Sequence, residues 1–430
     1  MQRYFTACKN GNDPYFDADE IDAILESFEE KEDYTYYEVI LTLGLRLHPG
    51  NPDLQLHQCR FLMYNEEYRW ALNLVESIAE MNNQDMDLIR LECYYILGEY
   101  LNAAEYLEKL AEAKCEYLED LFEYMAPTLV DMEMRDEASD LIKRGLQIFP
   151  NNLLLKDELC YLYEVEGNFE EGIRICNELI DKEPYSYDYW FMLGRLYSLA
   201  NDFDNAIDAF DFALTCDDSD NNEVKVLKAY CLFMNENYEK ALEVYSEIEG
   251  DDISIDYLQS LVAECYIKLE DYEQAYLLLK DMIIRQTEAN DASVYISFIR
   301  CCIETDRENE ASQMLVKAAD IFPDNVRILS LLALNYLENG KQELALHITG
   351  KILENLSSLR NHTYGDELEE YERLFKEGQS LFSEGMLKKA AEYYQELLQA
   401  IPQLSFQNQS RYVPPEDLTK EYLNDKNNSN

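Results

Sequence analysis

The chain has 430 residues, 87 acidic against 36 basic side chains, a formal net charge of −51 and a hydrophobic share of 47%. Such a charge repels nucleic-acid phosphates and speaks against a DNA or RNA role; the hydrophobic share is that of a folded chain and speaks against disorder. The low counts of 14 glycines and 10 prolines favour helix over a turn-rich fold.

The first ten residues, MQRYFTACKN, carry no apolar signal-like core, and no stretch approaches the length of a membrane span. Most of the 11 cysteines fall at positions that read as helix interiors. They are expected to be small buried hydrophobes of a reducing cytoplasm, not a disulfide framework. Residues 1–17, with a short helical candidate and an Asn12-Asp13-Pro14 turn, are expected to form an N-terminal cap segment. From Ala18 the pattern becomes regular. Ile21, Leu25 and Phe28 form one helix face, Tyr34 to Leu45 a second helix, and His48-Pro49 closes the unit.

The clearest stretch is Tyr187 to Asp220. Trp190, Leu193, Gly194 and Tyr197 recur at helical spacing, and Ala206, Phe210 and Ala213 do so after an Asn201-Asp202 turn. This W-x-x-L-G-x-x-Y…A-x-x-x-F-x-x-A pattern resembles a tetratricopeptide repeat, a helix–turn–helix unit of about 34 residues. Gly194 and Ala206 are expected to face each other where the helices cross, with Trp190, Tyr197 and Phe210 filling the space beside them. Asp218 stands where the closing proline is expected.

The small residue of the second helix recurs as Ala71, Ala103, Ala138, Gly172, Ala206, Ala241, Ala275, Ala311, Ala345 and Ala390. Units therefore begin near Pro52, Gln84, Glu119, Leu153, Tyr187, Asn222, Asp256, Ala292, Val326 and Tyr371. With the unit at Ala18 there are about eleven. Pro49, Pro150, Pro184, Pro323 and Pro402 close units, because proline cannot continue a helix. Several units are degenerate: Leu91 and Ala126 replace the first-helix glycine, and Tyr37 replaces the alanine of the first unit. Phase is lost once, between Leu356 and Tyr371, where a lengthened helix and a loop around Gly365 are expected. Residues 403–430 read as a polar tail.

The resemblance implies an all-α, right-handed superhelical solenoid over residues 18–402. It also implies a non-catalytic scaffold or adaptor that binds a protein or peptide in its concave groove. The alternative reading is a peptide-sensing regulator, or an assembly or secretion chaperone, acting with a separate effector. No nucleotide-binding glycine motif, H-E-x-x-H or C-x-x-C occurs. His48, His57, His347 and His362 are scattered over distant units. The run Asp217 to Glu223 looks like a calcium loop but lacks its glycine at the sixth place, and it is read as an inter-repeat turn. No catalytic residue, cofactor or metal is expected.

In the family, the second, fifth, ninth, twelfth and thirteenth places of each unit face the groove. Carried onto this chain they give Asp120, Glu123 and Asp131, then Asp157, Tyr161 and Glu164. The next two units give Asp188, Phe191 and Arg195, then Glu223, Tyr230 and Phe233. The set is acidic with interleaved aromatics, so the expected partner is basic or amphipathic, with Phe191 and Tyr230 as anchors. The lysine/asparagine clamp by which some members grip chaperone tails is absent, since Asp157 and Tyr161, Phe191 and Arg195, and Val226 and Tyr230 occupy its places.

Overall fold

The computed structural model describes residues 15–31, 34–78, 83–216, 221–248, 254–285 and 292–358, with residues 373, 376, 377 and 380. Every regular element among them is helical. The chain divides into two compact units, residues 1–182 and 183–430.

The first unit holds five helix pairs: α1 (Ala18–Glu29) with α2 (Tyr37–Leu47), α3 (Pro52–Tyr64) with α4 (Tyr68–Ser77), α5 (Gln84–Ile96) with α6 (Tyr100–Glu112), α7 (Leu118–Asp131) with α8 (Arg135–Ile148), and α9 (Leu153–Glu166) with α10 (Phe169–Ile180). The second unit holds five more: α11 (Tyr187–Leu199) with α12 (Phe203–Cys216), α13 (Asn222–Met234) with α14 (Tyr238–Ser246), α15 (Ile255–Lys268) with α16 (Tyr272–Arg285), α17 (Ala292–Glu304) with α18 (Glu308–Ile321), and α19 (Val326–Glu338) with α20 (Gln342–Ser358). Within each unit, helices pack on their neighbours in sequence. First helices of adjacent pairs also touch: α1 on α3, α3 on α5, α5 on α7 and α7 on α9 in one unit, α11 on α13 and α15 on α17 in the other.

Local chemistry explains where each helix starts and stops. The side chains of Asn51, Asn83, Asn152, Ser186, Asn221 and Asn325 accept from the first free N–H groups of the helices they precede. At the fifteenth place of the unit the backbone turns left-handed in nine consecutive pairs, at Glu66, Gly98, Glu133, Gly167, Asn201, Glu236, Glu270, Asp306 and Gly340. That residue closes the first helix. In the turn at Gly167, for example, its N–H reaches Glu164 O at 3.1 Å while the N–H of Asn168 reaches Tyr163 O at 2.8 Å. The recurrence at one place in all nine pairs fixes the register.

The expected small residues are buried wherever they are described. Ala71, Ala103, Ala138, Ala206, Ala241, Ala275 and Ala345 are all 0% exposed, and Gly172 is buried. Two glycines meet the next pair: a Cβ at Gly145 would lie 2.7 Å from Leu155 Cδ1, and one at Gly44 would lie 3.1 Å from Leu54 Cδ1. In the first pair Tyr37 takes the place of the alanine and is 1% exposed. Its ring stacks on Phe61 with centroids 5.6 Å apart, and its hydroxyl donates to Glu29.

At Gly194 the ring of Phe210 lies against the backbone: a Cβ there would meet two ring carbons at 2.6 Å. The aromatic ring, one turn along α12, fills the crossing. The expected cap before Tyr15, the loop around Gly365, most of the unit at Tyr371 with Ala390 and Pro402, and the tail at 403–430 lie outside the described residues.

Candidate partner-binding face

In the first unit Asp120, Glu123 and Asp131 sit on α7, and Asp157, Tyr161 and Glu164 on α9. Asp120 and Asp131 are exposed; the other four are half-buried. Glu123 is partly engaged, since the Asn152 amide that caps α9 through its oxygen donates through Nδ2 to Glu119 at 2.8 Å and to Glu123 at 2.6 Å. Pro127, at the ninth place of its unit, lies inside α7. Having no N–H, it leaves the Glu123 carbonyl without its helical donor on this same stretch.

In the second unit Asp188 is exposed, and Arg195, Glu223 and Tyr230 are half-buried. Phe191 and Phe233, expected as groove aromatics, are only 6% and 8% exposed. Phe191 stacks on Tyr187 at 5.7 Å and packs against Phe210 at 6.1 Å; Phe233 meets Tyr238 edge-on at 5.2 Å. Both rings are core, because the neighbouring aromatics of the second helices draw them inward. Tyr230 keeps part of its ring accessible, against Phe203.

Electrostatics marks two carboxylates on these first helices. Burial pushes Glu223 above the usual carboxylate range, against the attraction of Arg195, and one of its oxygens is buried with no hydrogen-bond partner. Burial likewise pushes Glu92 on α5 up, against a hydrogen bond with Tyr124 on α7. Tyr124 is itself 50% exposed. Neither Glu92 nor Tyr124 was reached by carrying family positions onto the central units. The signal was available: Glu92 holds the ninth place of the unit that starts at Gln84.

Arg60 on α3 supplies the opposite charge in the first unit. It reaches Glu29 on α1 at 3.3 Å and Asp85 on α5 at 3.2 Å, spanning three successive first helices. Later in the second unit the sign changes. Arg300 and Arg327 stand on α17 and α19, and burial with the nearby Arg300 holds Arg327 below the usual guanidinium range while Glu264 opposes that shift. The acidic character therefore belongs to α5, α7 and α9 in one unit and to the start of the other.

None of the ten described cysteines is joined in a disulfide, and burial pushes the thiols of Cys59, Cys93, Cys301 and Cys302 up to about 12. Among the described residues no His, Cys, Asp and Glu side chains group to hold a metal ion, and no helix is long and apolar enough to cross a membrane. Residues 217–220 of the calcium-like run lie outside the described residues.

Comparison with known proteins agrees with the repeat pattern. Residues 161–221 and 266–335 match two tetratricopeptide repeat families, and residues 200–282 match the family of anaphase-promoting complex, cyclosome, subunit 3. A tetratricopeptide repeat protein 30 homologue of Caenorhabditis briggsae is 25% identical over 190 residues, which are 44% of this chain. The chain spans 28% of that relative's length. Among solved structures, a tetratricopeptide repeat protein of Parabacteroides merdae is 17% identical, covering 58% of this chain and 98% of its own at a TM-score of 0.34. PilF of Pseudomonas aeruginosa is 12% identical, covering 48% and 92% at a TM-score of 0.38.

Proposed function

We propose that this chain, a tetratricopeptide repeat protein, is a scaffold that holds a basic or amphipathic segment of a partner protein against its first helices. Proteins of this family are generally non-catalytic interaction scaffolds. One observation carries the finer reading. First helices of both units keep half-buried carboxylates, Glu92 and Glu223, that burial makes costly to ionise. An arriving ammonium or guanidinium would pair with them, as Arg60 already pairs with Glu29 and Asp85. Exposed Asp120 and Asp188 add attraction at longer range, and the accessible parts of Tyr124, Tyr161 and Tyr230 offer apolar surface with a polar edge.

The test is a photo-crosslinking side chain placed at Asp120, at Asp188 and, as control, at Asp140 on α8, in the full chain inside its native cells. Adducts from the first two sites to a lysine- or arginine-bearing segment are expected. Adducts formed at Asp140 alone would overturn the reading.

A further inference from the structure

At the crossing of α11 and α12 the eighth and twenty-fourth places of the unit meet. Gly194 and Phe210 hold them, and a Cβ on the glycine would lie 2.6 Å from the ring. Ala126 with Ile142, and Ala229 with Tyr245, hold the same two places in their own pairs, small against large and all buried. The pair of α9 and α10 departs from that rule. There the two places are Cys160 and Cys176, side chains of equal, middle size.

Both cysteines are 0% exposed. The Cys160 thiol donates to Gly172 O, one turn before Cys176 on α10, at 3.2 Å, and it shares a hydrogen bond with the Cys176 thiol. Two sulfurs within hydrogen-bond reach on two different helices are close to the separation from which a disulfide closes. While the pair stays shut it is protected, since no oxidant reaches a fully buried sulfur. The hydrogen bond with Cys176, together with burial, also pushes the Cys160 thiol above its usual range, which keeps it protonated.

We propose that Cys160 and Cys176 form a reversible disulfide when hydrogen peroxide reaches them during local opening of α9 from α10. One thiolate attacks a peroxide oxygen, becomes a sulfenic acid and releases hydroxide. The second thiolate attacks that sulfur, forms the S–S bond and expels a second hydroxide. The two thiol protons neutralise the two hydroxides. Two thiols and one peroxide thus give one disulfide and two waters, the sulfurs losing the two electrons that the peroxide gains. The bond ties α9, which carries Asp157, Tyr161 and Glu164, to α10, and it restricts the unfolded chain. The inference stands apart from the charge of any segment bound at that face.

The test treats the reduced full chain, at high dilution, with hydrogen peroxide, blocks the remaining thiols with N-ethylmaleimide and digests with trypsin. Cleavage after Lys156, Arg174 and Lys182 leaves Cys160 and Cys176 on separate peptides, 157–174 and 175–182. Mass spectrometry should find these two joined as the main disulfide of the chain, and mild denaturant should speed the joining because it opens the pair more often. Dithiothreitol should separate them and lower the melting temperature of the oxidised chain. Cys176→Val should lose both the link and that response, but the mapping is made on the parent and stands without the variant. Peptides 157–174 and 175–182 that stay separate, whether or not the half-buried Cys115 and Cys216 react, would overturn the proposal. So would a melting temperature that rises when the bond is reduced.

Discussion

The ring of Phe210 lies against the backbone of Gly194, so close that a Cβ there would meet ring carbons at 2.6, 2.6 and 3.0 Å. Phe210 is itself 0% exposed and has no direction in which to yield. Alanine at this place would gain about 1 kcal/mol of helix propensity but overpack the crossing at a typical cost of about 1–3 kcal/mol. Contact at three ring atoms puts the cost at the upper end. Gly194→Ala should therefore lose about 1–2 kcal/mol in denaturant melts, whereas Gly50→Ala, with nothing within 4 Å, should stay within about 0.5 kcal/mol.

The left-handed turn residues make a second test with opposite signs. Glu236 holds φ at 58° and Gly167 at 75°. A side chain in this region costs roughly 1–2 kcal/mol, which glycine's greater unfolded-state freedom offsets only in part. Glu236→Gly should raise stability by about 0.5 kcal/mol, and Gly167→Ala should lower it by about 1 kcal/mol. Thermal melts of the two variants shifting the same way would contradict the turn geometry.

These turns mark what could be read in the sequence and what could not. The spacing of about 34 residues along Ala71, Ala103, Ala138 and their successors was legible because a helix crossing tolerates only small groups, so the constraint acts on residue type. The fifteenth place was not legible as a left-handed site. Glutamate stands there at 66, 133, 236 and 270, and the unit is rigid enough to impose the conformation on it. Phe191 and Phe233 were assigned to the groove by unit position, yet their burial depends on Tyr187, Phe210 and Tyr238, whose nearness the repeat spacing does not encode. Arg60 escaped for a related reason. Its bridge to Glu29 and Asp85 joins three helices, and only their stacking makes the three charges neighbours.

His57 ties the first pairs together. It is 2% exposed, with Nδ1 at 2.8 Å from Glu29 and Nε2 at 3.0 Å from Asp22. His57→Ala leaves both carboxylates and the Tyr37 hydroxyl short of a partner. The loss should be about 2 kcal/mol, below the 3–5 of a fully buried pair because both carboxylates keep some exposure. Burial alone would raise the Glu29 carboxyl, but hydrogen bonds from His57 and Tyr37, with the charges of His57 and Arg60, hold it below its ordinary 4.5. A depressed carboxylate stabilises the fold above the unfolded value and loses that contribution as pH falls through the folded one. Stability should therefore drop as pH falls below about 4.5, with a smaller drop in His57→Ala. Parallel acid melts of the two proteins compare the drops directly.

Glu223 and Glu92 should behave in the opposite sense. Their folded values are raised, so their charged forms weigh against the fold above the folded value, and the cost is relieved as pH falls below the unfolded one. Glu223→Gln should melt higher than the parent at neutral pH and show little advantage near pH 4. The same variant should bind a basic segment less well, since the amide offers no charge. A variant that is less stable at neutral pH would mean that Arg195 outweighs burial.

The central claim is that a basic segment binds the first-helix face, not merely the net negative charge. Two variants with equal charge change separate these cases: Asp120→Lys, Asp157→Lys and Asp188→Lys on first helices, against Glu105→Lys, Asp140→Lys and Asp208→Lys on second helices. Anisotropy of a labelled 16-residue lysine–leucine amphipathic helix measures the affinity of each at low and at physiological ionic strength. The account predicts binding by the parent that weakens with salt, a loss of about tenfold in the first-helix variant, and little change in the second-helix one. Equal losses in the two variants would reduce the interaction to net charge and contradict the account.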